Sequence, residues 1–480
     1  MPPHTFLWHD YETFGTQTRR DRPAQFAAIR TDADLNEIGE PIMLYCRPAP
    51  DFLPDPQSCL ITGITPQTCL ERGLPEYEFA ARIEQALSET GTIGVGYNTI
   101  RFDDEITRFL FWRNLIDPYA REWQNNCGRW DILDVVRTAY ALRPEGIRWP
   151  TNEDGRPSFR LEHLSAANDI AHTAAHDALS DVRATIALAR LIRKRQPRLF
   201  DFCLALHKKE RVAEEIGLPG RRPFLHVSGM FPAERGCLAL VWPLAMHPTN
   251  RNEVVAWDLA FDPTELMSLD AQAIRTRMFG KADALPPGME RLPIKTIHMN
   301  KSPIVIGNLK ALSPAMAQRW NLDLDAALRH AGIAASPEMS ARMDTLWSEV
   351  FQRPAEDAPD VDEDLYGGFV GNGDRRTLSQ LRLLPAEELA RARPAFHDPR
   401  LDELLFRYRA RNFPNTLSEE EMQRWEAHRA ARLFDGMADA RTVDALSAEI
   451  DRLSETASER DEEILGALYD YAEAIAPARP

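Results

Sequence analysis

Four acidic residues and one histidine have the types and spacing that suit metal-assisted hydrolysis. Asp10 and Glu12 lie two positions apart in the segment HDYET. Side chains on a strand alternate between its faces, so these carboxylates would project together, with Tyr11 on the opposite face. Adjacent carboxylates repel each other unless a cation lies between them, and Mg²⁺ or Mn²⁺ suits such oxygen ligands. A D-x-E pair is also common at exposed strand ends, so the pair alone does not establish a metal site.

The other candidates come from two later segments. Asp103 lies in GYNTIRFDDE, after a short apolar strand and at the start of a helix, where sites are often built in α/β folds. His176 and Asp181 lie in HDALSD, with the histidine expected in a loop and the aspartate in the first helical turn. Helix capping explains Asp103 equally well, and an isolated histidine is more often a packed or solvated side chain.

Together these residues predict a hydrolytic site. Four carboxylates can hold two divalent ions in the arrangement that hydrolyses phosphodiesters, and we expect Mg²⁺, with Mn²⁺ as an alternative, on Asp10, Glu12, Asp103 and Asp181. His176 is the expected proton acceptor, because a neutral imidazole suits that role near pH 7. The formal charge of −16 does not attract nucleic acid from a distance, so any nucleic acid must be held by a local groove or through a metal ion.

Basic and aromatic residues beside these motifs and in the middle segment are candidates for contacts to a nucleic acid, because binding of a single strand needs cations along its backbone and rings that stack on its bases. With Glu12, the candidates are Arg108, Tyr119, Trp123, Arg137, Arg160, Lys209, Asn252, Lys295 and Lys301. Tyr119 and Trp123 lie in the polar segment PYAREWQNN, which favours exposure. Core packing is otherwise the more common role of an aromatic side chain.

Apolar periodicity predicts the elements that position these residues. Strands are expected at FLWHDYET, QFAAIRTD, IMLYCRP and TIGVGYN, and helices at 76–87, 102–115, 130–142 and 178–193. This order predicts an α/β sandwich. Residues 198–350 contain short apolar runs broken by Gly and Pro, typical of a small barrel or curved sheet. An acidic, proline-bearing linker at 352–364 precedes a segment that is helical by pattern.

The composition excludes several classes of protein. The 480 residues are 44% hydrophobic and 27% charged, as in soluble globular proteins, and the length suggests about three domains. No apolar stretch approaches the ~18 residues that cross a bilayer, and the N-terminus lacks the features of a signal peptide. The six cysteines are scattered without a C-x-x-C pair, which disfavours a zinc site or disulfides. We therefore expect a cytoplasmic protein without membrane association.

In chain order, the motifs D-x-E, Y-N-x-x-R-F-D and H-x-x-x-x-D resemble those of DEDDh-type 3′→5′ exonucleases with the ribonuclease-H-like fold. Segments that are similar to the bacterial exonuclease I family include HDYETFG, LITGITPQ, HVSGMF and RNFPNTL. The similarity is least clear in residues 265–290 and 330–400. The resemblance implies an α/β exonuclease domain with a mixed sheet and flanking helices (1–196), an SH3-like β domain lining the DNA groove (197–351), the linker 352–364 and an α-helical C-terminal domain (365–480).

The resemblance also implies an activity and a partner. The expected reaction is 3′→5′ hydrolysis of single-stranded DNA to nucleoside 5′-monophosphates, in DNA repair and recombination. The acidic tail of single-stranded-DNA-binding protein is an expected partner, and we expect a monomer. Three alternatives stay open: an exonuclease of the same fold acting on RNA ends or as a proofreader, a non-catalytic binding module, and a scaffold built on the acidic C-terminal helices. The first predicts a shorter chain, and the second predicts the loss of an acid or the histidine.

Overall fold

The computed structural model describes residues 4–172, 177–281, 285–352 and 358–478. Packing divides the chain into two units. The first comprises Met1–Gly128, His172–Arg183 and Asp357–Pro480, and the second comprises Arg129–Ala171 and Ala184–Glu356. Because the first unit gathers three separate segments, it contains Asp10, Glu12, Asp103 and Asp181.

A mixed β-sheet carries the first pair of acids. The sheet contains β1 (Thr5–Thr13), β2 (Pro23–Thr31), β3 (Ile42–Tyr45) and β4 (Thr92–Gly96). Strand β2 pairs antiparallel with both β1 and β3, and β1 pairs in parallel with β4. Within this unit the strand order is β3-β2-β1-β4, and a short strand, β5 (Gly128–Asp131), begins at the last residue of the unit's first segment. The acidic pair therefore lies on an internal strand.

Helices of the same segment determine which way the side chains of β1 point. These helices are α1 (Pro56–Thr62), α2 (Pro66–Arg72), α3 (Glu76–Ser88) and α4 (Asp103–Arg113). On α3, Phe79, Ile83 and Leu87 recur at helical spacing and pack in one buried cluster with Leu7 and Tyr11 of β1. Since strand side chains alternate, Asp10 and Glu12 project from the other face of the strand.

The C-terminal segment of the first unit is helical, as predicted. Its helices are α14 (Asn372–Leu381), α15 (Ala386–Arg391), α16 (Arg400–Asn412), α17 (Glu419–Leu433), α18 (Val443–Ser454) and α19 (Glu459–Ile475). Apolar residues Leu446 and Ile450 of α18 and Leu465 and Leu468 of α19 pack in one core with Cys59 of α1. One side of each of the two short helices α1 and α2 is therefore covered by the end of the chain.

The second unit contains an antiparallel sheet and most of the remaining helices. Its strands are β6 (Phe224–Val227), β7 (Leu238–Met246), β8 (Glu253–Asp258), β9 (Ile294–His298) and β10 (Ile304–Ile306), in the order β10-β6-β7-β8-β9. The helices are α5 (Ile132–Leu142), α6 (Leu161–Ala167), α8 (Pro197–Ala205), α9 (Lys209–Ile216), α10 (Ala271–Phe279), α11 (Pro314–Arg319), α12 (Leu324–Ala334) and α13 (Pro337–Val350). α7 (Ala178–Arg195) crosses the division between the units.

Most of the predicted elements are confirmed, including the four N-terminal strands and a sheet within residues 198–350. The predicted helix at 130–142 is wrong at its start, because Trp130 and Asp131 belong to β5 and Asp131 caps α5 through its carboxylate. Among the described residues, six α-helices, α8 to α13, also lie wholly or almost wholly within 198–350, and the apolar runs did not indicate them. In the described part of the chain, every helix is too short or too polar to cross a membrane.

Candidate active site

Three acids from distant parts of the sequence meet in the first unit. Asp10, Glu12 and Asp181 each offer a carboxylate oxygen, and these atoms all lie within 4.8 Å of one another. Asp10 and Glu12 come from β1, and Asp181 comes from the first turn of α7. Because both elements are regular, the backbone brings the acids together without help from a flexible loop.

Asp103 is held against the same strand. Its Oδ1 accepts a hydrogen bond from the backbone N–H of Tyr11 at 3.0 Å, and its backbone oxygen accepts one from the Thr107 hydroxyl at 2.8 Å. The Thr107 hydroxyl in turn lies 3.0 Å from the Tyr11 hydroxyl. The N-cap position of α4 belongs to Phe102, so the Asp103 carboxylate serves the strand and does not cap the helix.

The neighbouring aspartate has a different role. Asp104 is buried and pairs with the equally buried Arg121, whose Nη2 donates to its Oδ1 at 2.5 Å. A carboxylate paired in this way is neutralised within the protein. Of the two adjacent aspartates, Asp103 is therefore the member of the candidate site.

The electrostatics of the cluster favour a bound cation. Burial raises the pKa of the Asp10 carboxyl well above its usual range, and the nearby Asp103 and Glu12 raise it further. Burial raises the pKa of Glu12 to about 9, with Asp181 and then Asp103 adding to the effect. Four ionised carboxylates would repel one another here unless protons or metal ions neutralised them. The donors are all hard oxygens, so the residues fit Mg²⁺ or Mn²⁺.

We expect the metal-free protein to lose stability as the pH rises. The pKa of Glu12 is about 9 when folded against an ordinary value of 4.5, so the folded state holds a proton that the unfolded chain releases between these values. This contribution is fully present below pH 4.5 and is lost as the pH rises through about 9. Millimolar Mg²⁺ should remove the loss, because the cation replaces the proton.

Thermal unfolding in EDTA or Mg²⁺, at pH values on either side of neutrality, measures this effect. Glu12→Gln is the control, because it keeps the shape of the side chain without its ionisation. Its melting temperature in EDTA should fall less steeply with pH than that of the unchanged protein. Equal slopes for the two proteins would refute the explanation.

Two residues near the cluster were not found from the sequence. His172 Nε2 lies 2.5 Å from Asp181 Oδ1. Asp177 accepts a hydrogen bond from Ser180 N at 3.1 Å and contributes to the raised pKa of both Asp10 and Glu12. Both residues lie close to His176 in the sequence, and this closeness was the only sequence signal that could have indicated them. His176 itself lies outside the described residues, so its position remains a prediction.

The candidate DNA-binding residues of the first unit differ in exposure. Trp123 is 64% exposed, which leaves its ring accessible for stacking. Tyr119 is half-buried beside Phe369, with ring centroids 5.9 Å apart. Arg108 is buried and donates to Glu122 at 2.7 Å and, among others, to Tyr366 at 3.0 Å. A phosphate contact by Arg108 would have to replace these hydrogen bonds. In this structure, Arg108 therefore supports the segment that carries Trp123.

The candidates in the second unit are mostly exposed or half-buried. Lys209 Nζ donates to Asn252 Oδ1 at 2.5 Å, so the structure brings these two predicted residues together. Arg160 is exposed just before α6, and Lys301 is half-buried. Lys295 lies 5.4 Å from the centre of the Phe231 ring, and partial burial lowers the pKa of its ammonium group.

Arg137 is already engaged within the second unit. Its Nη1 donates to Asp134 Oδ1 at 2.7 Å on the same helix, and its side chain is 16% exposed. Asp134 and Arg137 are three positions apart on the helix, and residues at this spacing can form an ion pair on any helix. A DNA contact by Arg137 therefore stays a prediction from the sequence alone.

Three protein families match successive parts of the chain. A family described as Exonuclease matches residues 7–189, the Exonuclease I SH3-like domain matches 207–353, and the Exonuclease I C-terminal domain matches 359–475. The matched segments therefore account for most of the sequence.

Known proteins match the whole chain as well. It is 45% identical to exodeoxyribonuclease I of Escherichia coli K12, with 98% of each sequence covered. Exonuclease I from Methylocaldum szegediense is similar in structure, with 50% identity and a TM-score of 0.93 over 98% of this chain and 100% of that one. E. coli exonuclease I in complex with a dA16 oligonucleotide gives 44% identity and a TM-score of 0.91, over 98% of this chain and 100% of that one.

Proposed function

Because this chain belongs to the exonuclease I family and is an exodeoxyribonuclease, we propose that it releases nucleoside 5′-monophosphates from the 3′ ends of single-stranded DNA. The observation that carries the proposal is the convergence of Asp10, Glu12 and Asp181, with Asp103 held to the same strand. Such carboxylate clusters hold the cations that hydrolyse phosphodiesters. The solved relative with a dA16 oligonucleotide supports a single strand as the substrate.

We propose that the cluster holds two Mg²⁺ ions, which Mn²⁺ can replace. When bound, the ions activate water and stabilise the leaving 3′ oxygen. All four ligands that we assign are carboxylates, which Mg²⁺ prefers over nitrogen or sulfur donors. A solved E. coli exonuclease I with a zinc ion and single-stranded DNA supports metal binding in this family.

The protein's own side chains have distinct parts in this proposal. His176 accepts a proton from the attacking water, as a neutral imidazole does well near pH 7. The Tyr11 backbone N–H fixes the orientation of Asp103. Trp123 stacks on a base, while Lys209 and the more accessible basic candidates Arg160, Lys295 and Lys301 follow the phosphates.

Label release from DNA tests the function. With Mg²⁺, single strands labelled at the 3′ end should lose mononucleotides, while 5′-labelled duplex and RNA should react much more slowly. EDTA should stop the reaction, and added Mg²⁺ should restore it. Release of label from internal sites, or equal rates on duplex and single strands, would contradict the proposal.

Trp123→Ala should weaken the binding of single-stranded DNA by roughly five- to 150-fold, because base–aromatic stacking contributes about 1–3 kcal/mol. Fluorescence anisotropy with a labelled oligothymidylate in Ca²⁺ or EDTA measures the affinity without cleavage. Tyr469→Ala is a matched control, since Tyr469 is a 53% exposed aromatic on α19 of the same unit. Equal affinities for both variants would remove Trp123 from the DNA-binding surface.

We also propose that the protein binds the acidic tail of single-stranded-DNA-binding protein. A solved exonuclease I with the C-terminal peptide of that protein is 43% identical to this chain, with a TM-score of 0.90. In the second unit, a cavity of about 470 Å³ is lined by apolar residues that include Leu142 and Phe202, with the exposed Arg143 and Arg198 beside them. Arginines next to an apolar cavity suit an acidic peptide that also buries an apolar side chain.

Arg143→Ala should therefore weaken binding of the tail peptide about tenfold or more, since a hydrogen bond to a charged group contributes about 1.5–3 kcal/mol. Anisotropy with a labelled tail peptide gives the affinity. Arg376→Ala removes an exposed positive charge on α14 and is the control for net charge. Similar losses in both variants would indicate a general charge effect and would refute this location.

The location and oligomeric state that we propose come from the sequence. We propose a cytoplasmic monomer that acts in DNA repair and recombination. The six cysteines are buried free thiols, which suits a reducing compartment. Sedimentation equilibrium tests the monomer directly.

A further inference from the structure

A second histidine lies directly against the carboxylate cluster. His172 Nε2 is 2.5 Å from Asp181 Oδ1, and the His172 side chain is only 6% exposed. The Asp181 side chain is 20% exposed. A short, largely buried contact between an imidazole and a carboxylate is a charge-assisted or strong neutral hydrogen bond.

The direction of this hydrogen bond follows from its partners. An ionised carboxylate only accepts, so the imidazole must carry the proton on Nε2 and donate it. The bond engages Oδ1 of Asp181. Asp181 also offers an oxygen within 4.8 Å of oxygens of Asp10 and Glu12.

Asp181 needs such a restraint more than a typical helical residue. The helix fixes its backbone, since Asp181 N donates to Asp177 O at 3.0 Å in the first turn of α7. Its side-chain torsions are not fixed by that bond, and Asp181 is among the groups whose charge raises the pKa of Asp10 and of Glu12. Repulsion of this kind pushes the carboxylates apart when the cation is absent, and the hydrogen bond from His172 opposes it at Asp181.

We propose that His172 is a positioning residue: it donates Nε2–H to Asp181 and thereby orients that carboxylate toward the cation. Hydrogen-bond partners of metal-binding carboxylates commonly act in this way, and their removal weakens metal affinity or activity about 10–100-fold. The inference deepens the proposed function and rests on the assignment of Asp181 as a metal ligand. It depends only on His172 and Asp181, both within the first unit.

Direct Mn²⁺ binding tests the inference without reference to catalysis. Isothermal titration of the full-length protein with Mn²⁺, in the absence of DNA, should give a dissociation constant about 10–100-fold weaker for His172→Ala. His172→Gln should recover much of the affinity, because its amide N–H reaches a position similar to Nε2. His330→Ala is the control, since His330 bonds a backbone oxygen, Leu259 O, in the second unit.

Activity gives a second, separable readout. Because His172 acts through Asp181, the Mg²⁺ concentration for half-maximal activity should rise in His172→Ala, while the rate at saturating Mg²⁺ falls much less. A residue that only supports the fold would instead lower the melting temperature and leave the Mg²⁺ requirement unchanged.

The outcomes are distinguishable. Unchanged Mn²⁺ affinity in a folded His172→Ala overturns the inference. If that variant does not fold, His172→Met and His172→Gln repeat the comparison at similar volume, and equal affinities for the two overturn it as well. Unchanged Mn²⁺ affinity in Asp181→Asn would instead contradict the metal assignment, and with it the proposed function.

Discussion

Asp181→Ala should lower the rate of nucleotide release from single-stranded DNA by about 10³-fold. A bound metal ion contributes several kcal/mol of transition-state stabilisation, and each ~1.4 kcal/mol is a factor of ten in rate. Asp181 is one of three acids with oxygens within 4.8 Å of one another, so its loss opens the cluster on one side. Steady-state release of a 3′ label at saturating Mg²⁺ measures the effect.

Two controls separate this effect from misfolding. Asp470→Ala removes an exposed carboxylate on α19 of the same unit and should retain full activity. In EDTA at neutral pH, Asp181→Ala should still unfold cooperatively, with a melting temperature lowered by no more than the loss of its hydrogen bond to His172 explains. If Asp181→Ala degrades DNA as fast as the unchanged protein, the assignment of Asp181 as a ligand is wrong.

His176→Ala should reduce turnover by about 10²–10⁴-fold while metal and DNA binding remain, because a general base acts on the reacting water and not on the bound groups. Three measurements are needed: turnover at saturating Mg²⁺, Mn²⁺ titration, and anisotropy with an oligothymidylate. The expected pattern is the opposite of that for His172→Ala, in which the Mn²⁺ affinity falls and the rate at saturating Mg²⁺ falls much less.

His397→Ala is the matched control, since the side chain of His397 is 92% exposed and lies in the same unit. It should leave turnover and Mn²⁺ affinity unchanged. Full turnover in His176→Ala would show that another group accepts the proton. A large loss of Mn²⁺ affinity in His176→Ala would show that the histidine is a metal ligand.

The architecture could be predicted from the sequence to a large extent. The strands with apolar periodicity and the regular helices recur at their predicted places. The resemblance to the exonuclease I family is confirmed, together with its exonuclease domain, SH3-like domain and helical C-terminal domain. Since the chain is an exodeoxyribonuclease, the binding-module and scaffold alternatives are wrong.

Short elements were harder to predict. The strand β5 has four residues and continues directly into a helix, so its apolar residues looked like part of that helix. The helices α1 and α2 have seven residues each and are stabilised by packing with Leu446 and Leu465, nearly 400 positions later. Periodicity in a short window cannot detect partners at that distance.

Within the site, the alternation of side chains along a strand predicted more of the arrangement than the residue types did. Alternation along β1 placed Asp10 and Glu12 together, and the packing of Tyr11 with the helices agrees with it. Asp103 was chosen over Asp104 from its place in the Y-N-x-x-R-F-D motif, and the pairing of Asp104 with Arg121, which sequence spacing does not indicate, agrees with that choice. His172 is nine positions before Asp181, and no local pattern indicates that the two side chains meet.

The most direct test of the carboxylate cluster is a crystal soaked with Mn²⁺ and a short oligothymidylate. We expect two anomalous peaks about 3.5–4 Å apart, coordinated by Asp10, Glu12, Asp103 and Asp181, with the 3′-terminal phosphodiester bound to both and His176 beside the site of the attacking water. Manganese bound elsewhere, or a 3′ end seated away from these four carboxylates, would contradict it.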